Sequence, residues 1–222
     1  MGINIAIDGP AGAGKSTIAR MVAKNRGYIY VDTGAMYRAM ALHMLREKIA
    51  VEDTAGIEKA CEDADISIRY IDGEQVVLLN GENVNAFLRT EEVGNMASAS
   101  SVNGKVRAKL QTLQQKLARE ADVVMDGRDI GTSVLPDAEV KIYLTAGSYV
   151  RAKRRYDELT AKGESADLEK IEADIIERDH RDMTRELNPL KQADDAVYVD
   201  SSDMSIQEVV SYIENIIEEK IS

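Results

Sequence analysis

Ile3-Asn4-Ile5-Ala6-Ile7-Asp8-Gly9-Pro10-Ala11-Gly12-Ala13-Gly14-Lys15-Ser16 decides the reading of this 222-residue chain. Ile3 to Ile7 is rich in β-branched residues, as in a buried parallel strand. Asp8 to Gly14 is a glycine-rich turn. Lys15 to Asn25 has helical spacing (Ile18, Ala19, Met21, Val22, Ala23), and Gly27 stops it. Residues 9–16 fit G-x-x-x-x-G-K-[ST] in the strand-to-helix setting that gives the motif meaning. Glycines let the backbone curl so that its N–H groups point inward, and the helix start adds a positive dipole end. Lys15 supplies a full charge to the β- and γ-phosphates, and the Ser16 hydroxyl suits Mg²⁺. Gly9, Pro10, Ala11, Gly12, Ala13, Gly14, Lys15, Ser16 and Thr17 are therefore the expected ATP-binding residues, with Mg²⁺ accompanying ATP.

Outward from this stretch the α/β rhythm continues. Tyr28 to Val31 reads as a strand, with Thr33 as N-cap of a helix through Met36, Met40, Leu42 and Leu45. Strand, helix, strand, helix at this spacing predicts a right-handed parallel sheet with helices on both faces, a three-layer P-loop NTPase-type sandwich. Asp65 to Arg89 breaks the pattern. Ile66 to Ile71 and Gln75 to Leu79 are strands, and Asp72-Gly73 and Asn80-Gly81 are turns, which predicts a small antiparallel insert. Helical spacing resumes from Thr90 through Ala121, with Val106, Leu110, Leu113 and Leu117 on one face. Val123 to Met125, Val140 to Leu144 and Val197 to Val199 are further strands. A charged helical stretch, Ser148 to Leu187, is interrupted near 162–165, and Ser205 to Lys220 is a last amphipathic helix.

Charge narrows the function. Lysine and arginine total 28 against 39 acids, a net charge of −11, which disfavours long nucleic acid and anionic membranes as partners. Aromatics at 5% argue against base-stacking binders of single strands. A single cysteine, Cys61, fits a reducing compartment, and with only two histidines a structural zinc site is excluded. No signal peptide or apolar membrane span is read, so the expected address is the cytoplasm. A guanine-reading Asn-Lys-x-Asp is absent, so a small kinase fits better than a switch GTPase. Such an enzyme needs arginines to screen two anions that approach each other.

Three places supply them. Thr33, Tyr37 and Arg38 follow a strand end, where open α/β sheets bind ligands. Asp126 ends the strand before Gly127-Arg128-Asp129, a position suited to Mg²⁺ or its waters. Arg178, Arg181 and Arg185 share a helical face with Asp182, and Arg151, Arg154 and Arg155 form an earlier basic face. Like charges so spaced repel by about 0.2–0.5 kcal/mol per pair, which an anionic ligand would reverse.

Together Ile7-Asp8-Gly9-Pro10, Asp32 to Arg38, Asp126-Gly127-Arg128-Asp129-Ile130-Gly131-Thr132 and Glu177 to Asp182, in that order, resemble the bacterial cytidylate kinase family of nucleoside monophosphate kinases. The resemblance spans essentially the whole chain. It implies transfer of the ATP γ-phosphoryl to CMP or dCMP by a monomer, with another small acceptor such as UMP as the alternative. It implies core segments at 1–59, 101–152 and 183–222, a monophosphate-binding insert at 60–100 and a helical lid at 153–182. It also implies that Ser98, Arg107 and Asp129 read the base with Arg185 as buttress. Arg38 and Arg128 would hold the acceptor phosphate, while Thr33, Tyr37, Arg178 and Asp182 complete that site. Lys15, Arg128, Arg154, Arg155 and Arg181 form the expected catalytic set. Ser16 and Asp126 are the expected Mg²⁺ contacts, Asp126 directly or through water.

Overall fold

A computed structural model describes residues 2–221. Among the described residues, helices α1 (Lys15–Arg26), α2 (Thr33–Arg46), α3 (Thr54–Asp63), α4 (Glu91–Ser100), α5 (Gly104–Glu120), α6 (Ser148–Ala161), α7 (Leu168–Thr184) and α8 (Ile206–Ile221) accompany eight strands. These are β1 (Asn4–Asp8), β2 (Ile29–Asp32), β3 (Ile66–Ile71), β4 (Glu74–Leu79), β5 (Glu82–Asn83), β6 (Val123–Gly127), β7 (Val140–Thr145) and β8 (Val197–Asp200). The parallel sheet has the order β2-β6-β1-β7-β8, and β3-β4-β5 form the expected small sheet. Its β3 and β4 are antiparallel, from Ile66 opposite Leu79 to Ile71 opposite Glu74.

Two compact units result. Of the described residues, the first holds Gly2 and 29–123, the second 3–28 and 124–221. In the second, β1 and β7 pair in parallel with Ile5 opposite Val140, and β8 adds to β7 with Ile142 opposite Val197. Ile5, Ile7, Met125, Ile142 and Leu144 are wholly buried, which is why these strands read as continuous apolar runs. In the first, α2 buries Met36, Met40 and Met44, one turn apart on one face.

Local chemistry explains where expectation and structure part. The cap of α2 is Asp32, whose Oδ1 accepts from the Ala35 N–H at 2.9 Å, so Thr33 is the first helical residue and not the cap. The helical pattern from Thr90 to Ala121 is two helices. Asn103 has extended backbone and its side chain accepts from the Lys105 and Val106 N–H groups, starting α5 anew. The buried face of α5 carries Val106, Arg107, Leu110, Gln114 and Ala118, whereas Leu113 and Leu117 are half-buried. The sequence reading passed over α3, whose buried Ile57, Ala60 and Cys61 have helical spacing, and the π-helical turn at Ile130–Val134.

Candidate active site

The phosphate loop sits in the second unit, between β1 and α1. Gly9 has φ +150°, and a Cβ there would lie 1.9 Å from the Leu144 carbonyl oxygen, so no side chain fits. Gly14 caps α1 in the left-handed region and leaves the helix N-terminus open toward the loop. Lys15 is buried, and its ammonium donates to the Pro10 carbonyl at 2.7 Å. Burial, and next the charge of Arg128, lower its pKa from 10.5 to about 7 against the pull of Asp126 and Asp8. The Ser16 hydroxyl donates to Asp126 Oδ2 at 2.9 Å. This hydroxyl and buried carboxylate are hard oxygen donors, the kind that suits Mg²⁺ when phosphate and water complete its shell.

Asp8 joins this loop to the Asp126–Thr132 motif. Its carboxylate accepts from the Ile130 N–H at 2.8 Å and the Gly131 N–H at 2.7 Å. Burial lifts its pKa from 3.8 to about 6 despite those two bonds. The bonds fix the turn that follows Arg128 and Asp129. Arg128 Nε donates to Asp182 Oδ2 at 2.8 Å. Burial works against the charge of Arg128, but Asp182 outweighs it and holds the guanidinium above its usual range. Burial would raise Asp182, yet Arg128, with Arg178 and Arg185 behind it, keeps that carboxylate below its usual range. Arg185 reaches Asp129 Oδ1 at 3.4 Å and Asp182 Oδ1 at 3.9 Å. It also donates to the Asn188 carbonyl through Nε at 2.8 Å. Arg185 and Asp129, expected to act together, are thus brought into contact.

The expected basic faces divide. Arg178, Asp182 and Arg185 turn inward, but Arg185 has left the helix (φ −61°, ψ 143°) as the C-cap of α7. Arg181 is exposed and pairs with Glu177 at 2.8 Å. Arg155 is also exposed and pairs with Glu158 at 2.8 Å along its own helix. Arg154 donates to the Ser201 carbonyl at 2.6 Å. The arc of three co-facial arginines therefore splits, because the helix ends at Thr184 and one member faces water.

In the first unit, Thr33, Tyr37 and Arg38 all lie on α2. Asp32, besides capping that helix, accepts from Arg89 at 3.0 Å and exchanges two bonds with the side chain of Gln75 on β4. A Cβ at Gly34 would stand 3.1 Å from an Arg38 nitrogen and 3.2 Å from Asp32 Oδ1, so a side chain there would make both shift slightly. Arg107 is buried, donates to the Ser101 carbonyl at 3.1 Å and stacks its guanidinium 5.8 Å from the Tyr37 ring centre. Ser98 is half-buried on α4, and its carbonyl accepts from the Ser101 hydroxyl. Sequence reasoning gave no role to Asp8 and Asp179, which lie inside the quoted motifs, nor to Gln75 and Arg89. An acid directly before the phosphate loop was visible at position 8, but its partners are more than 120 residues away.

This pairing of a phosphate loop with a carboxylate–arginine cluster has known relatives. A family model described as cytidylate kinase matches residues 5–219. The cytidylate kinase of Caldicellulosiruptor bescii is 50% identical over 211 residues, covering 95% of this chain and 93% of that protein. That of Geobacter sp. strain M21 is 47% identical over 222 residues, covering 100% and 95%. The cytidylate kinase of Ligilactobacillus salivarius is 49% identical over 218 residues, covering 98% and 97%. Among solved structures, an uncharacterized protein from Eubacterium ventriosum shares the fold, with a TM-score of 0.53 at 12% identity and 99% coverage of both chains. Motif order, loop geometry and near-complete matches agree that the chain belongs to the cytidylate kinase family.

Proposed function

We propose that this kinase transfers the γ-phosphoryl of ATP to CMP and to dCMP, in the cytoplasm and as a monomer. The observation that carries this reading is the cluster Asp126, Arg128, Asp129, Asp182 and Arg185 on the same unit as the phosphate loop. ATP occupies the loop from Gly9 to Thr17. Ser16 and Asp126 hold Mg²⁺, which shields phosphate charge when bound. Residues 60–100 serve as the monophosphate-binding insert and 153–182 as the lid.

On the acceptor side, the CMP-binding residues are Thr33, Tyr37, Arg38, Ser98, Arg107, Arg128, Asp129, Arg178, Asp182 and Arg185. Asp129, oriented by Arg185, accepts from the cytosine amino group, while Arg107 donates to the ring acceptors. Uracil presents an oxygen where cytosine presents that amino group, and a buried carboxylate facing an oxygen discriminates strongly. Arg128 and Arg38 hold the acceptor phosphate.

Little covalent chemistry is asked of the protein. The acceptor phosphate is already anionic, so no general base is required. Lys15 and the arginines neutralise charge and align acceptor oxygen, phosphorus and leaving oxygen. Lid closure excludes water, which would otherwise compete as acceptor. Initial rates with MgATP over CMP, dCMP, UMP and AMP test the reading. CMP and dCMP should have kcat/KM values at least about a hundredfold above UMP, and a preference for UMP or AMP would overturn it.

A further inference from the structure

We propose that Arg151 and Asp179 form a positioning pair for the ATP-binding loop, gripping both polar groups of Ala11. The proposal rests on the reading that this loop binds ATP. Arg151 lies in the first turn of α6 and Asp179 on α7, and both side chains are almost wholly buried. Arg151 Nε donates to the Ala146 carbonyl at 2.8 Å, and one terminal nitrogen donates to the Ala11 carbonyl at 2.8 Å. The other meets Asp179 Oδ2 at 2.6 Å. The second oxygen of Asp179 accepts from the Ala11 N–H at 3.4 Å. Oxygen and N–H of one loop residue are thus both tied to one ion pair.

The next residue seals the arrangement. Gly12 has φ +75°, and a Cβ there would stand 3.4 Å from Arg151 Cβ, so the loop backbone lies directly on the arginine stem. Arg151 belongs to a basic helical face, yet all its donor nitrogens are directed at protein acceptors. It therefore acts through the loop, not on a phosphate. A buried ion pair is weak evidence for stability, because desolvation offsets most of its attraction. An apolar pair would fasten α6 to α7 as well. What an apolar pair lacks is the ability to hold one residue by both its N–H and its carbonyl, and so to fix two successive peptide groups. A loop that binds phosphate by its N–H groups depends on such preset orientation.

Arg151→Lys keeps the charge but lacks the three-pronged fork, and Asp179→Asn keeps the shape but loses the charge. Steady-state kinetics of both, and of the double variant, separate the roles. Each single change should raise the KM for ATP about tenfold while the KM for CMP stays within about twofold. The double variant should cost little more than either single one, since both break the same unit. An unchanged KM for ATP, equal rises in both KM values, or losses that add in the double variant would each overturn the pairing, whatever the melting temperature does. If Arg151→Lys fails to fold, Asp179→Asn carries the test alone. Should the unaltered protein show no transfer from ATP to CMP, the functional reading fails instead. Calorimetric titration with MgATP then decides on the pair by the same tenfold criterion.

Discussion

At the scale of single residues, two side chains set the chemistry through their surroundings. Arg128 is held at 2.8 Å by Asp182, and that carboxylate turns a mobile guanidinium into a fixed one. Arg128→Ala should lower kcat a hundredfold or more, on the order of 2.7 kcal/mol, read by steady-state turnover of CMP. Near-normal turnover would remove Arg128 from the reaction. Asp8 gives a pH signature. Its pKa is about 6 in the folded protein and ordinarily 3.8, so between those values the folded state carries a proton that the unfolded chain does not. Its contribution to stability is full below about pH 4 and is lost as pH rises through about 6. Denaturant unfolding should show the Asp8→Asn variant with a flatter profile across that window, and an identical slope would refute the assignment.

At the scale of elements, helix ends do the placing. α2 starts where Asp32 receives the Ala35 N–H, and this start orients Thr33, Tyr37 and Arg38. Asp32→Ala should destabilise the protein by about 1 kcal/mol in urea unfolding, the usual worth of a cap. The exposed Arg89 partner adds little to that figure, because exposed pairs are weak. A change below a few tenths would mean that Gln75 alone holds the helix start. α7 works from its other end. Its termination at Thr184 releases Arg185 from the helix, so that arginine meets Asp129 while Arg181 stays on the outer surface beside Glu177. Arg181→Ala is accordingly expected to be far milder than Arg128→Ala in the same assay.

At the scale of the whole molecule, a chain of net charge −11 binds anions because its cations are gathered against a few buried acids. A ligand that binds only the folded state adds about 2.7 kcal/mol at a hundredfold excess over its Kd. For a chain of this length that corresponds to a rise in melting temperature of roughly 5–10 °C. ATP with magnesium should produce such a rise in thermal unfolding. Lys15→Ala should abolish most of it, and an equal rise in that variant would place the triphosphate elsewhere.

Elements with uniform periodicity were legible in the sequence. β1, α1 and the β3–β4 hairpin announce themselves because a buried parallel strand is an apolar β-branched run, a helix repeats near 3.6, an exposed-face strand alternates by two, and glycine marks their ends. The phosphate loop was equally legible, since its motif is short-range and sits between a strand and a helix. The break between α4 and α5 was not, because Asn103 reads as an ordinary polar residue until its side chain is seen capping.

The residues themselves thus determined the strand–loop–helix unit, the order of the motifs and the net charge, all of which follow from local spacing. Only the tertiary structure decided which arginines face inward, what Asp8 holds, and that Arg151 grips Ala11 instead of a phosphate. The reason is range. Periodicity and turn chemistry act within a few residues, whereas these contacts join positions 54 to 168 apart, and the packing of elements alone sets their geometry.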